Sequence, residues 1–487
     1  MEYLYRYRSI EKLFEYKELE NLEIYFAKPN ELNDQMEDYM NIVWQGDEIA
    51  FQGLFKHYLY LLTHLYYEAS IRNRYKRLDI DHLPVFLKID ILNAPEIKTF
   101  FKEIYFEFFS SQSIANIPKN LAQSNKKFTA DEILLILKSI HLYAYYVIDS
   151  NIKQFFYRIN PFQNKEYSES YREVKNWDGC SKIINLLIGG LYYREQIVNQ
   201  INNFNTQYQI NKAMVNNLHQ DKDTYNINIL SFDFPDIYIK NIKKLLYNSF
   251  CVTCFSATFQ NEPMWAHYAN NENGVCLKYK IKNENNKNFI NLKSAYGDNR
   301  SDKIEKVYRD HEIFAVNYSD VYPEIDFFTS LGCLPRKILE DFWLTNYDRT
   351  QFSSCLKKYD NHNEWYYNYH KKATEYICTK SKNWEYEQEY RIILRDLLYP
   401  AYEEKQNRLA NYKFEDLDAI IFGRNVSIEN KRKVVWIINK YCLENKVKPC
   451  SFYDLYYSTI SKELGLKYCP IVYFVKQNQN LPNPSWG

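Results

Sequence analysis

Residues 251–280 read CVTCFSATFQNEPMWAHYANNENGVCLKYK, and this stretch decides the fold class. CVTCFSA at 251–257 has the composition of a strand, a short polar turn follows, PMWAHYA is helix-like, and GVCLKYK at 274–280 is a second strand. Upstream, the helical run NIKKLLYNSF feeds the first strand. Downstream, IFAVNY at 313–318 reads as a strand, 335–343 and 364–380 as helices, and EYRIIL at 389–394 as a strand. LDAIIFG at 417–423 precedes the amphipathic RKVVWIINKYC, and PIVYFV at 470–475 is again β-like. At the other end, residues 3–8 alternate aromatic side chains with Arg, and Ser9 is placed to cap a helix carrying Ile10, Leu13 and Phe14. LEIYFA at 22–27 and PVFLKIDI at 84–91 predict strands, and 46–72 predicts a helix. Strands and helices intermingle with no regular βαβ repetition, so the class is α+β.

Residues 112–230 differ in character. Helical runs at 131–149 and 184–202, striped with Ile, Leu and Tyr, are separated by polar sequence rich in Asn, Lys and Tyr. This predicts a helical insertion or lobe, either plain core or a surface for a partner. The expected organisation is 1–111 as the N-terminal part of a mixed core, 112–230 as the insertion, 231–440 as the main core and 441–487 as an extension packed on it.

The chain has 487 residues, with 62 Lys+Arg against 61 Asp+Glu and 17% aromatic side chains, so fibrous and disordered classes are excluded. A formal charge of +1 supplies no bulk attraction to nucleic acid or to an anionic membrane. MEYLYRYRSIEKLF has neither a basic leader before an apolar core nor a small-residue cleavage site, and no membrane span is expected. Ten scattered cysteines read as free thiols in a reducing compartment, which makes the expected location cytoplasmic. Cys251 and Cys254 lie three apart on a strand and so face opposite ways, and no metal site is expected.

Several motifs occur in a fixed order. They are Tyr5-Arg6-Tyr7-Arg8, then 25–34 (YFAKPNELND), Cys254-Phe255-Ser256, Met264-Trp265-Ala266-His267-Tyr268, Gly274-Val275-Cys276, 384–391 (WEYEQEYR), and the segment around Gly423. In this order they resemble the bacterial family of uncharacterised proteins called DUF2971, over 1–50 and 250–440. The resemblance implies an accessory bacterial protein, and some relatives are associated with defence against phage. A second resemblance is to ADP-ribosyltransferases of the arginine–serine–glutamate type. These carry an Arg on an early strand, Ser-x-Ser/Thr on a middle strand and Glu-x-Glu before a late strand. The matching positions are Arg6 or Arg8, Ser256-Ala257-Thr258 and Glu387-Gln388-Glu389. This resemblance implies a mixed β core of that type with surrounding helices. It also implies NAD as substrate and an ADP-ribosyl acceptor that is protein, nucleic acid or, in a glycohydrolase, water.

On that basis Arg6 and Arg8, sharing one strand face, would clamp the NAD diphosphate. Strand parity likewise puts Ser256 with Thr258, and Glu387 with Glu389, on one face; Ser256 and Thr258 would hold a ribose or orient the catalytic carboxylate. Glu389 would stabilise positive charge on the ribose as the glycosidic bond breaks, and Glu387 would orient or deprotonate the acceptor. Arg391 would bind cofactor or hold Glu389. Trp265 and Tyr268 would stack on a base, and His267 would donate to phosphate or act as a base. Each has a plainer counterpart. Arg6 and Arg8 would pair with Asp34 or Glu37, the glutamates would form the wet face of an amphipathic strand, and Trp265 would be core. Asn33 and Asp34 would cap a turn at the pocket rim. Two other classes compete: a nuclease in which Asp34, Glu387 and Glu389 hold magnesium, and a non-catalytic sensor that binds a partner through the helical lobe.

Overall fold

A computed structural model describes residues 2–69, 77–80, 83–86, 95–159, 179–190, 193–218, 224–297, 304–395 and 401–471. Most of each expected strand at 84–91 and 470–475 lies outside these residues, and the described 84–86 form no strand. The chain divides into two compact units, one of Met1–Tyr39, Ser249–Tyr322 and Glu375–Gly487, the other of Met40–Asn248 and Pro323–Thr374. Helices and a mixed sheet are both present, as α+β requires.

The second unit is mainly helical. Asp47 caps the helix Glu48–Tyr67, which packs on Gln112–Gln123 and on the long helix Ala130–Ile159, where the Tyr58 hydroxyl meets His141 Nδ1 at 2.8 Å; Phe51 and Leu54 are buried on the same helix. A small sheet of Asn41–Trp44, Phe128–Thr129 and Glu324–Asp326 lies in the same unit. The window Ala130–Lys153 is long and apolar enough to cross a membrane by length and composition, but 72% of it is buried inside the fold, as in a core helix. The helix expected over 184–202 is two helices, Gly179–Ile188 and Arg194–Leu218. Gly190, with φ +66, breaks the run in a conformation that disfavours any side chain.

The first unit is built on one large sheet. We label the eleven strands along its main path β1 (Tyr3–Ser9), β2 (Glu23–Tyr25), β3 (Phe250–Ser256), β4 (Gly274–Lys280), β5 (Lys287–Gly297), β6 (Ile304–Ala315), β7 (Glu389–Arg395), β8 (Leu409–Tyr412), β9 (Leu417–Phe422), β10 (Ser451–Ser458) and β11 (Glu463–Tyr468), with the short Lys282–Glu284 paired to β5 off that path. Their order is β11-β10-β9-β4-β1-β3-β7-β6-β5-β8-β2. Strand periodicity of two separates two cores. Leu4, Phe255, Leu277, Ile392 and Ile420 fill one face with the helices Ile10–Glu15 and Ile428–Asn445, while Tyr7, Cys276, Ile421 and Trp265 fill the other. Ser9 caps its helix as expected, accepting from Lys12 N at 3.3 Å.

The feature that positions the site is a divergence inside this sheet. β1 pairs with β4 along its whole length, from Tyr3 opposite Lys280 to Ser9 opposite Gly274. Against β3 it meets only at Tyr5 opposite Ser256. Four residues back along β3, Val252 exchanges both backbone hydrogen bonds with Ala27, at 2.8 and 2.9 Å. The chain just after β2 thus takes the edge that β1 abandons, and an opening is left between them.

Candidate functional site

A cavity of about 760 Å³ lies at this opening, and Arg6, Arg8, Ser256, Tyr268, Glu387 and Glu389 all line it. The three motif-bearing strands are neighbours in the order β1-β3-β7. Side-chain parity nevertheless divides them. Residues directly opposite in paired strands share a face, so Tyr5, Ser256 and Glu389 point one way and Arg6 and Arg8 the other. They reach one cavity because the sheet is open beside them.

On the first face a buried charge cluster forms. Glu389 accepts from Arg391 through both carboxylate oxygens, from Nε at 2.8 Å and Nη2 at 3.1 Å. Arg391 also donates to Glu37 at 2.9 and 2.5 Å and to the Ile377 carbonyl at 2.6 Å. The Lys380 ammonium bridges Glu387 at 2.7 Å and Glu389 at 3.2 Å, with Glu37 at 3.9 Å. The other oxygen of Glu387 accepts from the Tyr268 hydroxyl at 2.6 Å. Three carboxylates therefore surround two cations, and nearly all of these groups are buried.

The two glutamates are driven apart in acidity. Burial would raise the Glu389 carboxyl, but Arg391 and Lys380 reverse this and hold it at about 2. For Glu387 burial prevails over Lys380, and with the charge of Glu389 nearby its pKa is raised. One carboxylate is thus fixed in the ionised form while its neighbour holds a proton more readily, the environment that separates an electrostatic stabiliser from an acid–base group.

Local backbone explains their convergence, which differs from the expectation. Residues 382–387 form a 3-10 helix capped by Ser381, Gln388 takes a left-handed conformation, and β7 begins at Glu389. Glu387 and Glu389 are therefore not two positions on one strand face, and the wet-face alternative fails because both are buried while Glu385 is exposed. Ser256 is fully buried and donates to the Glu387 carbonyl at 2.9 Å, so its hydroxyl orients the glutamate segment. The Glu389 amide donates to the Tyr318 hydroxyl at 2.7 Å, pinning the start of β7.

On the other face Arg6 and Arg8 share Glu18, which accepts from Arg6 Nη1 at 3.3 Å and from Arg8 Nε at 2.9 Å, with a second contact from Arg8 Nη2. Their partner is this residue rather than Asp34 or Glu37. Burial and the neighbouring Arg6 lower the pKa of Arg8.

The remaining expected residues separate. His267 is exposed at the cavity edge, its ring 6.4 Å from that of Tyr386. Trp265 is core: it is fully buried, edge-on to Tyr7, and its indole donates to the Phe259 carbonyl at 2.7 Å. Thr258 lies beyond the end of β3, so it does not share a strand face with Ser256, and its carbonyl accepts from Tyr7 at 2.8 Å. Arg391 is sealed among Glu37, Glu389 and Ile377 and positions Glu389 rather than meeting a ligand. Asn33 reaches Tyr268 at 3.4 Å and lines the cavity, whereas Asp34 caps Met36. Among the described residues, no group of three His, Cys, Asp or Glu is arranged to hold a metal ion. Lys380 occupies the space where magnesium would bridge Glu387 and Glu389.

Sequence reasoning missed Lys380 and Glu18, and it placed Glu37 with the wrong arginines. A lone Lys after a helix and a lone Glu after a short one carry no motif, and only the fold brings them to the site.

These features define an α+β protein whose large sheet opens onto a cavity carrying buried carboxylates on one side and paired arginines on the other. Residues 264–392 match the model of a family described as a protein of unknown function (DUF2971), which supports that resemblance over a narrower span than the motifs suggested. No curated protein and no solved structure matches the chain.

Proposed function

We propose that the cavity binds NAD and that the protein cleaves its nicotinamide–ribose bond, passing ADP-ribose to an acceptor or to water. The observation that carries this is the pairing, within one cavity, of a buried cluster with one carboxylate in excess and an arginine pair with one cation in excess. NAD is polarised in the same sense, with a cationic pyridinium at one end and an anionic diphosphate further along. The consecutive order of the strands bearing arginine, serine and glutamate supports the same reading and the transferase-like type of the core.

In this mechanism the C1′–N bond breaks and its electron pair leaves with nicotinamide, discharging the pyridinium. Positive charge then develops on the ribose, against which Glu389 stays ionised. The acceptor oxygen attacks C1′, and Glu387 takes its proton, as its raised pKa suits. Tyr268 and Lys380 hold Glu387 in place, Ser256 fixes the backbone that carries it, and Arg6 and Arg8 bind diphosphate beside Glu18. His267, exposed at the edge, stands where an acceptor enters. Because some relatives in the family it resembles are associated with defence against phage, a role as a cytoplasmic defence effector is part of this proposal.

The test is direct binding. Calorimetric titration of the full chain with NAD and with ADP-ribose is expected to give one site, weakened roughly tenfold or more by Arg8→Ala through loss of a bidentate phosphate contact. Absence of binding by either ligand would remove the proposal.

A further inference from the structure

On the wall of the cavity formed by residues 11–25 and 405–409, two tyrosines and a lysine make an arrangement that the bond-breaking chemistry does not use. Tyr16, Tyr25 and Lys405 all line the cavity. The Lys405 ammonium lies 5.4 Å from the centre of the Tyr16 ring and 5.9 Å from that of Tyr25. Tyr25 is held rigidly: its hydroxyl donates to Glu31 at 2.8 Å, Glu31 accepts from Arg408 at 2.9 and 2.8 Å, and the Arg408 guanidinium lies 5.1 Å from the Tyr25 ring. Tyr16 is 45% exposed, so its ring face is open to a ligand, and Lys405 is exposed as well. A ring held by hydrogen bonds, an accessible ring and an exposed ammonium beside both make a surface for a planar base that carries phosphate. The rings supply π faces, and the ammonium can turn from them toward the anion.

We propose that Tyr16, Tyr25 and Lys405 form a subsite for the base end of a dinucleotide, which for NAD is adenine. This rests on the proposed function and adds to it the residues that recognise the half of the substrate remote from the breaking bond. Arg6 and Arg8 are joined to this wall through Glu18 and line the same cavity as the carboxylates.

The test compares ADP-ribose with ribose 5-phosphate, which lacks the whole AMP half and with it the base, in titrations of the full chain. Tyr16→Ala is expected to weaken ADP-ribose about tenfold, the loss of one stacked base, and to leave ribose 5-phosphate unchanged. Tyr16→Phe, which keeps the ring, is expected to retain ADP-ribose affinity. Unchanged ADP-ribose affinity in Tyr16→Ala, or equal weakening of both ligands, would overturn the subsite. If the wild-type chain binds ribose 5-phosphate as tightly as ADP-ribose, the subsite falls and phosphate binding by Arg6 and Arg8 stands. If it binds neither, both fall.

Discussion

A lysine ammonium held between two carboxylates sets their charge as well as their position. Burial opposes the charge on Lys380, but Glu389 and Glu387 outweigh it and raise its pKa. Lys380→Met would leave Glu37, Glu387 and Glu389 facing Arg391 alone. Loss of one partner from a buried ion cluster is expected to cost about 3–5 kcal/mol. The sign of its pH dependence follows from Glu387. A carboxyl whose folded-state pKa is raised contributes stability below its unfolded pKa and loses it as pH rises through the folded value. The melting temperature of Lys380→Met should therefore fall further below that of the wild type as the pH of thermal melts rises from about 5 to about 8. Glu389 acts in the opposite sense: its depressed pKa contributes stability above the ordinary carboxyl range, lost as pH falls toward about 2. At this scale the two glutamates were legible because they sit together in 384–391. Lys380, Glu37 and Glu18 were not, because each is a single charge supplied from another part of the chain.

Elements decide which side of the sheet a residue serves. The strands β1, β3, β4 and β7 were readable to within a residue or two, because their alternation follows the two cores. Parity carried too far gave Glu387 and Glu389 one strand face, when the left-handed Gln388, φ 45°, ends a 3-10 helix between them. The long β5–β6 hairpin was legible only at its end, since Lys, Asn and Glu on its exposed face dilute the apolar signal. Glu18→Gln removes the carboxylate that Arg6 and Arg8 share, so ADP-ribose should bind several-fold more tightly while the melting temperature drops. Weaker binding in the same calorimetric titration would show that Glu18 orients the arginines for phosphate rather than competing with it. Gly274 lies opposite Ser9, and a Cβ there would stand 2.3 Å from the Arg8 carbonyl oxygen and 2.8 Å from that of Ala269. Gly274→Ala must push β1 from β4. The expected loss is about 1–3 kcal/mol in denaturant unfolding, as for other overpacked sites, and a neutral result would contradict the described pairing.

Across the whole molecule, the sheet is assembled from residues 3–25, 250–315 and 389–468, so its strands meet across long stretches of sequence. The divergence of β1 from β3 was not legible, because it depends on Ala27 pairing with Val252, a single backbone contact without a side-chain signature. That divergence brings the arginines and the carboxylates, which lie on opposite faces, to one cavity, and the central claim is that this cavity breaks the nicotinamide–ribose bond of NAD. The most direct measurement is release of nicotinamide from NAD by the purified full chain, compared with Glu389→Gln. That substitution keeps the size of the side chain and removes its charge. The account predicts release by the wild type and a loss of roughly 10²–10³ in the variant, with ADP-ribose affinity little changed. Release that is unaffected by Glu389→Gln would contradict it.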